Sequence, residues 1–248
     1  MSALLRIFGA PAILFARTLS AIRQRGVDRR ATMVQLVEIG SKSSLLIVSG
    51  LAFFGAVMVT IAWAQTRKYT GNITVVGPAY FELMLREFAP LLVALLAASR
   101  VGASTSAEIA AMSVNEQIEA LELCAADPIA ELVTPRFVAS LIALPALMVI
   151  GTIAAAVSAR VVVTTAFGAD GSAFTDARFV DATDVLCAFV KGALCGAFIP
   201  LAAAARGLKA KGGAPAVGEA VTAAVVDASM GCLLIDFVVA AAFLLIGV

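Results

Sequence analysis

The 248-residue chain is 61% hydrophobic and only 14% charged, with a mean hydropathy of +1.00, whereas a soluble domain carries about 25% charged residues. Its apolar runs are continuous and alanine-rich rather than alternating, which excludes a soluble domain and a transmembrane barrel and predicts a multi-pass helical membrane protein. A net charge of +1 gives no sign of a nucleic-acid partner, and the absence of histidine removes the commonest general base and metal ligand.

Residues 1–42 begin with a short apolar stretch interrupted by Arg6 and Pro11, followed by Arg17, Arg23, Arg25, Arg29 and Arg30. A signal peptide carries its basic residues ahead of the apolar region; this order instead predicts an amphipathic segment lying in the membrane interface. Residues 45–64 are uncharged and form the first span, with Trp63 and Tyr69 as an interfacial aromatic belt. Gly71, Gly77 and Pro78 then mark a loop. A second span over 79–99 contains Glu82, Arg86 and Glu87, and a polar, helix-forming stretch follows over 100–136. The third span, 137–159, is uncharged and contains Pro145; an acidic loop with Asp170, Asp176, Asp181 and Asp184 leads to a fourth, 185–205, interrupted by Lys191 and Pro200. A basic, glycine-rich loop over 206–218 precedes the fifth, which carries Asp227 and Asp236.

The expected fold is therefore an all-α membrane protein: an interfacial segment over 1–42, then five transmembrane helices and a short cytoplasmic helix near 113–126 within 43–248. Lysine and arginine bias places the N-terminus and the 206–211 loop in the cytoplasm, and the acidic loop and C-terminus outside. Arg67 and Lys68 stand against that rule. Cys124, Cys187, Cys195 and Cys232 lack metal or redox spacing and read as small buried hydrophobes.

Ionisable residues at membrane depth face the protein interior or water. Arg86 and Glu87 lie about seven residues into the second span from its outer end, and Lys191 about six into the fourth, so at ~1.5 Å per residue they share one depth. That cluster suits an anionic headgroup, with Arg86 and Lys191 as donors; an internal Glu87–Lys191 or Arg86–Glu87 pair that only fixes helix packing is the alternative. Asp227 and Asp236 suggest either helix–helix pairing or an intramembrane aspartyl enzyme, and no glycine–aspartate signature supports the latter. Gly192 and Gly196 form a small-residue motif for close helix packing, with a dimer contact as a further use.

The segment REFAPLLVALLAASRVGASTSAEIAAMSVNEQIEALELCAADPIAELVTPR, over 86–136, resembles the MlaE/YrbE family of permease subunits in lipid-transporting ABC systems. The matching positions are Arg86–Glu87, Pro90, Arg100–Gly102, Ala107–Glu108, Met112, the run from Glu116 to Leu121, Asp127–Pro128 and Pro135–Arg136. Lys191–Gly192 with Gly196, the glycine-rich loop from Gly212 to Gly218, and Ile235–Asp236–Phe237 extend the likeness over about residues 40–248. Ala89 and Ala111 replace the family's glycines, Glu119 stands where aspartate is usual, and a glutamine of the first span has no clear counterpart. The resemblance implies a homodimeric permease in the bacterial inner membrane. It further implies cytoplasmic ABC ATPase subunits, an MCE-domain protein on the outer side, and phospholipid or a related lipid as substrate.

No GxxxxGK[ST] pattern occurs, so ATP and magnesium are expected on the partner ATPase only, and the chain itself needs no cofactor and is not an enzyme. The helix near 113–126 is the expected coupling helix. Ser113 or Asn115 caps it, Ile118, Leu121 and Cys124 form an apolar face, and Glu116, Glu119 and Glu122 form an acidic one. Glu108, Glu116, Gln117, Glu119 and Leu121 are its candidate coupling residues. Phe54, Met58, Ile61, Trp63 and Tyr69 are the candidate lining of an acyl-chain pathway, with Arg86, Glu87 and Lys191 for the headgroup. A membrane scaffold without transport is the remaining alternative.

Overall fold

The computed structural model describes residues 2–69 and 76–245, with side chains described throughout these ranges except at residues 2–6, 67, 69 and 76. Among the described residues every regular element is helical. Helix α1 (Ser2–Arg25) ends at Gly26, whose φ of +77° only glycine adopts freely. Asp28 then starts α2 (Arg29–Tyr69): its Oδ1 accepts from the backbone N–H groups of Arg30 at 2.8 Å and Ala31 at 3.2 Å.

Helix α2 is 41 residues long and holds no proline, so nothing in it stops the backbone. The expected boundary at residue 42 therefore falls inside a helix. Charge drops there, but the helix continues, and residues 29–42 belong to the same element as the first span.

From Val76 to Val114 the chain is helical in five pieces. These are α3 (Val76–Leu83), a π turn (Met84–Phe88), α4 (Ala89–Ala97), a second π turn (Ala98–Gly102) and α5 (Ala103–Val114). An elbow follows, with Glu116 in the left-handed region at φ 59°, and then the seven-residue α6 (Gln117–Leu123). No side chain caps α6, and the Ser113 hydroxyl instead donates to the Ala210 carbonyl at 3.0 Å, so the expected Ser113 or Asn115 cap is corrected. A third π turn (Ile129–Val133) leads into α7 (Thr134–Ala166), where Pro135 cannot donate a backbone hydrogen bond. The Thr134 hydroxyl and the Arg136 guanidinium close on the carbonyls of Ile129 and Leu132. A 3-10 turn (Gly171–Thr175), α8 (Ala182–Gly207) and α9 (Ala214–Leu245) complete the described chain.

Among the described residues, four stretches are long and apolar enough to cross a membrane: Arg29–Thr66, Ile129–Ala166, Ala182–Gly207 and Ala214–Leu245. The expected second span, 79–99, is helical but is broken by a π turn and carries three charges.

The helices divide into two compact units. The first comprises Met1–Ser43, Ala94–Leu144 and Ala193–Ile235. Here α1 buries Pro11, Leu14, Thr18 and Ala21 along one helical face, with Leu14 packed against Ile109, Val133, Phe137 and Leu201. Its opposite side exposes Ile13, Phe15 and Leu19, an apolar surface suited to lipid. A second cluster joins Ala98, Leu144, Phe198, Ile199 and Cys232.

The second unit comprises Ser44–Val93, Pro145–Gly192 and Asp236–Val248. Its helices α2 and α7 meet at Gly55, where an added Cβ would stand 2.6 Å from the Ala155 carbonyl oxygen. The Ser158 hydroxyl donates to the Ala52 carbonyl at 2.6 Å, and the Tyr80 hydroxyl to the Gly55 carbonyl at 3.2 Å. In the acidic loop, the backbone and side chain of Ser172 hold the Asp170 carboxyl below its usual value. The Arg178 guanidinium does the same for Asp176.

Candidate functional site

In the second unit, the first π turn meets α8 and the start of the chain's last segment. Pro90 has no N–H to give the Arg86 carbonyl four residues before it. The Lys191 ammonium donates to that carbonyl at 3.2 Å. Lys191 also donates to Glu87 Oε2 at 2.5 Å and stands 3.2 Å from Asp236 Oδ1. Its side chain is 1% exposed, as a lysine at membrane depth requires when its charge is matched.

Arg86 completes the cluster. Its Nη1 donates to Asp184 Oδ1 at 3.0 Å, and its Nε lies 3.8 Å from Glu87 Oε1. The other Asp184 oxygen accepts from the Asp181 backbone N–H at 2.9 Å, so the carboxylate also caps the start of α8. Asp184 and Lys191 are seven residues apart, two helical turns on one face, so α8 offers one anion and one cation to the adjacent Arg86 and Glu87.

The sequence expectation of a cluster of Arg86, Glu87 and Lys191 is thus met in position, and so are the internal pairs weighed against it. Asp184 and Asp236 were missed. The signal for Asp184 was its seven-residue spacing from Lys191. The sequence sets Asp236 beside Asp227, whereas the structure gives the two aspartates different cations, Lys191 and Arg206. In the first unit, the carboxylate of Asp227 accepts from Arg206 Nε at 2.6 Å. With both aspartates engaged in ion pairs, the aspartyl-enzyme alternative has no support.

Among the other candidates, Phe54 packs on Phe88 with ring centroids 5.3 Å apart, beside Glu87. Trp63 stacks flat on Phe167 at 4.8 Å. Met58 is half-buried and Ile61 is exposed. Tyr69 ends α2, and its side chain lies outside the described residues. Gly192 and Gly196 both serve packing within the chain: an added Cβ would meet Met148 Sδ at 2.3 Å and the Ser140 carbonyl oxygen at 2.6 Å, respectively.

In the first unit, Glu108 accepts from Arg136 Nη2 at 2.6 Å. Glu116, Gln117 and Glu119 are exposed, Ile118 is buried and Leu121 half-buried. Cys124 is exposed, which corrects its place on the apolar face and its reading as buried, while the other three cysteines are buried. Leu123, which sequence reasoning passed over, is 89% exposed.

Comparison with known proteins fits this architecture. The family model described as "Permease MlaE" matches residues 32–242. The chain is 32% identical over 218 residues to a probable ABC transporter permease protein of Synechocystis, covering 87% of this chain and 82% of that one. It is 32% identical over 209 residues to a probable ABC transporter permease protein of Rickettsia typhi, covering 84% and 80%. With the chloroplastic protein TRIGALACTOSYLDIACYLGLYCEROL 1 of Arabidopsis thaliana it shares 29% identity over 233 residues, covering 93% and 66%. With charges buried in helices long enough to span a membrane, a family match over most of its length and permeases as relatives, the chain belongs to the MlaE permease family, as a multi-pass transporter permease and not an enzyme.

Proposed function

We propose that the chain is the membrane subunit that moves phospholipid or a related lipid between the inner membrane and the cell envelope. The observation that carries this reading is the family match over residues 32–242, joined by a relative named for a galactolipid. Energy comes from separate ATPase subunits, since the chain has no phosphate-binding loop of its own and needs no cofactor. Two copies form the permease, an MCE-domain protein engages its outer side, and the chain crosses the membrane five times from a cytoplasmic N-terminus, the side that its lysine and arginine bias favours.

Within the cluster, Lys191 is enclosed, whereas the side chains of Arg86 and Glu87 are 23% and 31% exposed. Arg86 is thus the donor within reach of a headgroup phosphate, with Glu87 and Lys191 holding its place. Phe54, Met58, Ile61, Trp63 and Tyr69 offer acyl chains an apolar path. On the cytoplasmic side, the exposed carboxylates of Glu116 and Glu119, with Gln117, Leu121 and Glu108, engage the ATPase.

The test is purification with the neighbouring gene products and lipid-transfer assays. Glu116→Lys with Glu119→Lys is expected to release the ATPase while the permease stays folded; normal assembly would remove the coupling role. Arg86→Gln is expected to lower lipid transfer about tenfold, the loss of one charge-assisted contact. Unchanged transfer would remove the headgroup role, and absence of any lipid transfer by the wild-type complex would remove the lipid reading.

A further inference from the structure

A second polar site lies within the first unit. A cavity of about 410 Å³ opens between α2 and the second π turn with the start of α5, lined by Glu38, Lys42, Ser43, Arg100, Thr105 and Glu108 among others. Its volume falls in the range of small-ligand pockets, about 300–1,000 Å³. Three of its four charges are already matched: Lys42 pairs with Glu38 one turn away, and Glu108 with Arg136. Arg100 makes no hydrogen bond or ion pair among the described residues, leaving one unmatched positive charge in the lining.

The hydroxyls point the same way. Ser43 is 1% exposed and its Oγ has no hydrogen-bond partner among the described residues. Thr105 is 4% exposed and likewise makes no hydrogen bond among them. A buried hydroxyl without a partner costs free energy unless something fills the space and accepts from it. The backbone adds an independent sign. Arg100 sits in the middle of a π turn, an energetically poor element that recurs at functional sites. In sequence, Lys42–Ser43 immediately precede the uncharged 45–64 stretch and Arg100 follows the 79–99 stretch, so the cavity draws on the polar edges of two membrane segments, where headgroups lie.

We propose that this cavity binds a phosphate-bearing anion, with Arg100 as the charged anchor and the Ser43 and Thr105 hydroxyls as further donors. A guanidinium suits this chemistry because its planar fork matches two phosphate oxygens. The site is separate from the Arg86–Lys191 cluster in residues and element. It rests on the reading under Proposed function only for the source of the phosphate, which is either a lipid headgroup or the free anion.

The experiment uses the purified full chain in detergent. It measures retention of phosphatidylglycerol, of diacylglycerol with the same acyl chains, and displacement by inorganic phosphate. Wild-type chain is expected to retain phosphatidylglycerol over diacylglycerol. Arg100→Gln should lower that retention about tenfold, Thr105→Val by a smaller factor, and Arg100→Lys should recover part of the loss. Diacylglycerol retention should not move. Displacement at millimolar inorganic phosphate, lost in Arg100→Gln, assigns the site to the free anion; phosphatidylglycerol binding insensitive to phosphate assigns it to the headgroup. Helical content by circular dichroism is followed for each variant, and if Arg100→Gln fails to fold, Ser43→Ala and Thr105→Val carry the measurement. Folded variants that retain phosphatidylglycerol and respond to phosphate as wild type does would overturn the proposal, whatever the transfer assay gives. Loss of lipid transfer with Arg100-dependent binding intact would overturn only the reading of function.

Discussion

Lys191 satisfies two kinds of demand at once. It neutralises Glu87 and Asp236, and it caps a backbone carbonyl that Pro90 cannot serve. Replacing it with methionine takes the cation from Asp236 and leaves Glu87 only its longer contact with Arg86, and a broken buried pair costs about 3–5 kcal/mol. Lys191→Met is therefore expected to melt well below the wild type in detergent, and adding Glu87→Gln with Asp236→Asn should return most of the loss. A single variant that melts like the wild type would show the pairs to be idle. Glycines offer a contrast at the same scale. Gly55→Ala drives a Cβ to 2.6 Å from the Ala155 carbonyl oxygen and is expected to cost about 1–3 kcal/mol. Gly40 has nothing within 4 Å of an added Cβ, so Gly40→Ala should be neutral or stabilise by about 1 kcal/mol, read in the same melting series. The sequence made Arg86, Glu87 and Lys191 legible because depth can be counted along an uncharged run. It hid Asp184 and Asp236 because one sits at a helix start that resembles a loop, and the other has an acidic neighbour in sequence but a basic one in space.

At the scale of elements, apolar runs identified the spans, and their ends were placed by composition. Composition does not report where a backbone stops, so α2 ran through the expected boundary at 42, and α6 proved to be seven residues where a helix over 113–126 was expected. The π turns were also illegible, since they change hydrogen-bond register without changing polarity. Helix α6 nevertheless presents a feature with a clear use. Leu123 is 89% exposed beside the exposed Glu119 and Glu122, an apolar knob in an acidic setting. Leu123→Asp removes no packing, so the melting of the permease alone should shift by no more than about 0.5 kcal/mol. Retention of the ATPase on copurification should fall. Retention equal to wild type would place the contact elsewhere.

For the whole molecule, the four cysteines supply a map of sidedness. Cys124 is exposed just after α6, whereas Cys187, Cys195 and Cys232 are buried. A membrane-impermeant maleimide is expected to label Cys124 in inside-out vesicles and not in right-side-out ones, with the other three silent in both until the protein is denatured. Labelling of Cys124 from the outer side would invert the topology. Fold class and family motif were readable from one sequence because lipid imposes long uncharged runs and because the motif between Arg86 and Arg136 keeps its order and spacing. Pairings across the chain were not, because they depend on which helix faces meet.

The two π turns that interrupt the stretch from Val76 to Val114 also constrain how this chain can change in length. Each holds one residue more than an α-helical turn. Deleting one residue between Ala98 and Gly102 would leave an uninterrupted helix of better local geometry. The wide turn takes up its extra residue locally, so the helical faces before and after it already keep nearly the register of an uninterrupted α-helix. Such a deletion would act on the turn itself, where Arg100 sits, and would leave the helices that flank it with their present faces. A single-residue gap here is thus a local change at Arg100, whereas the same gap inside regular α-helix would turn every side chain beyond it by about 100°.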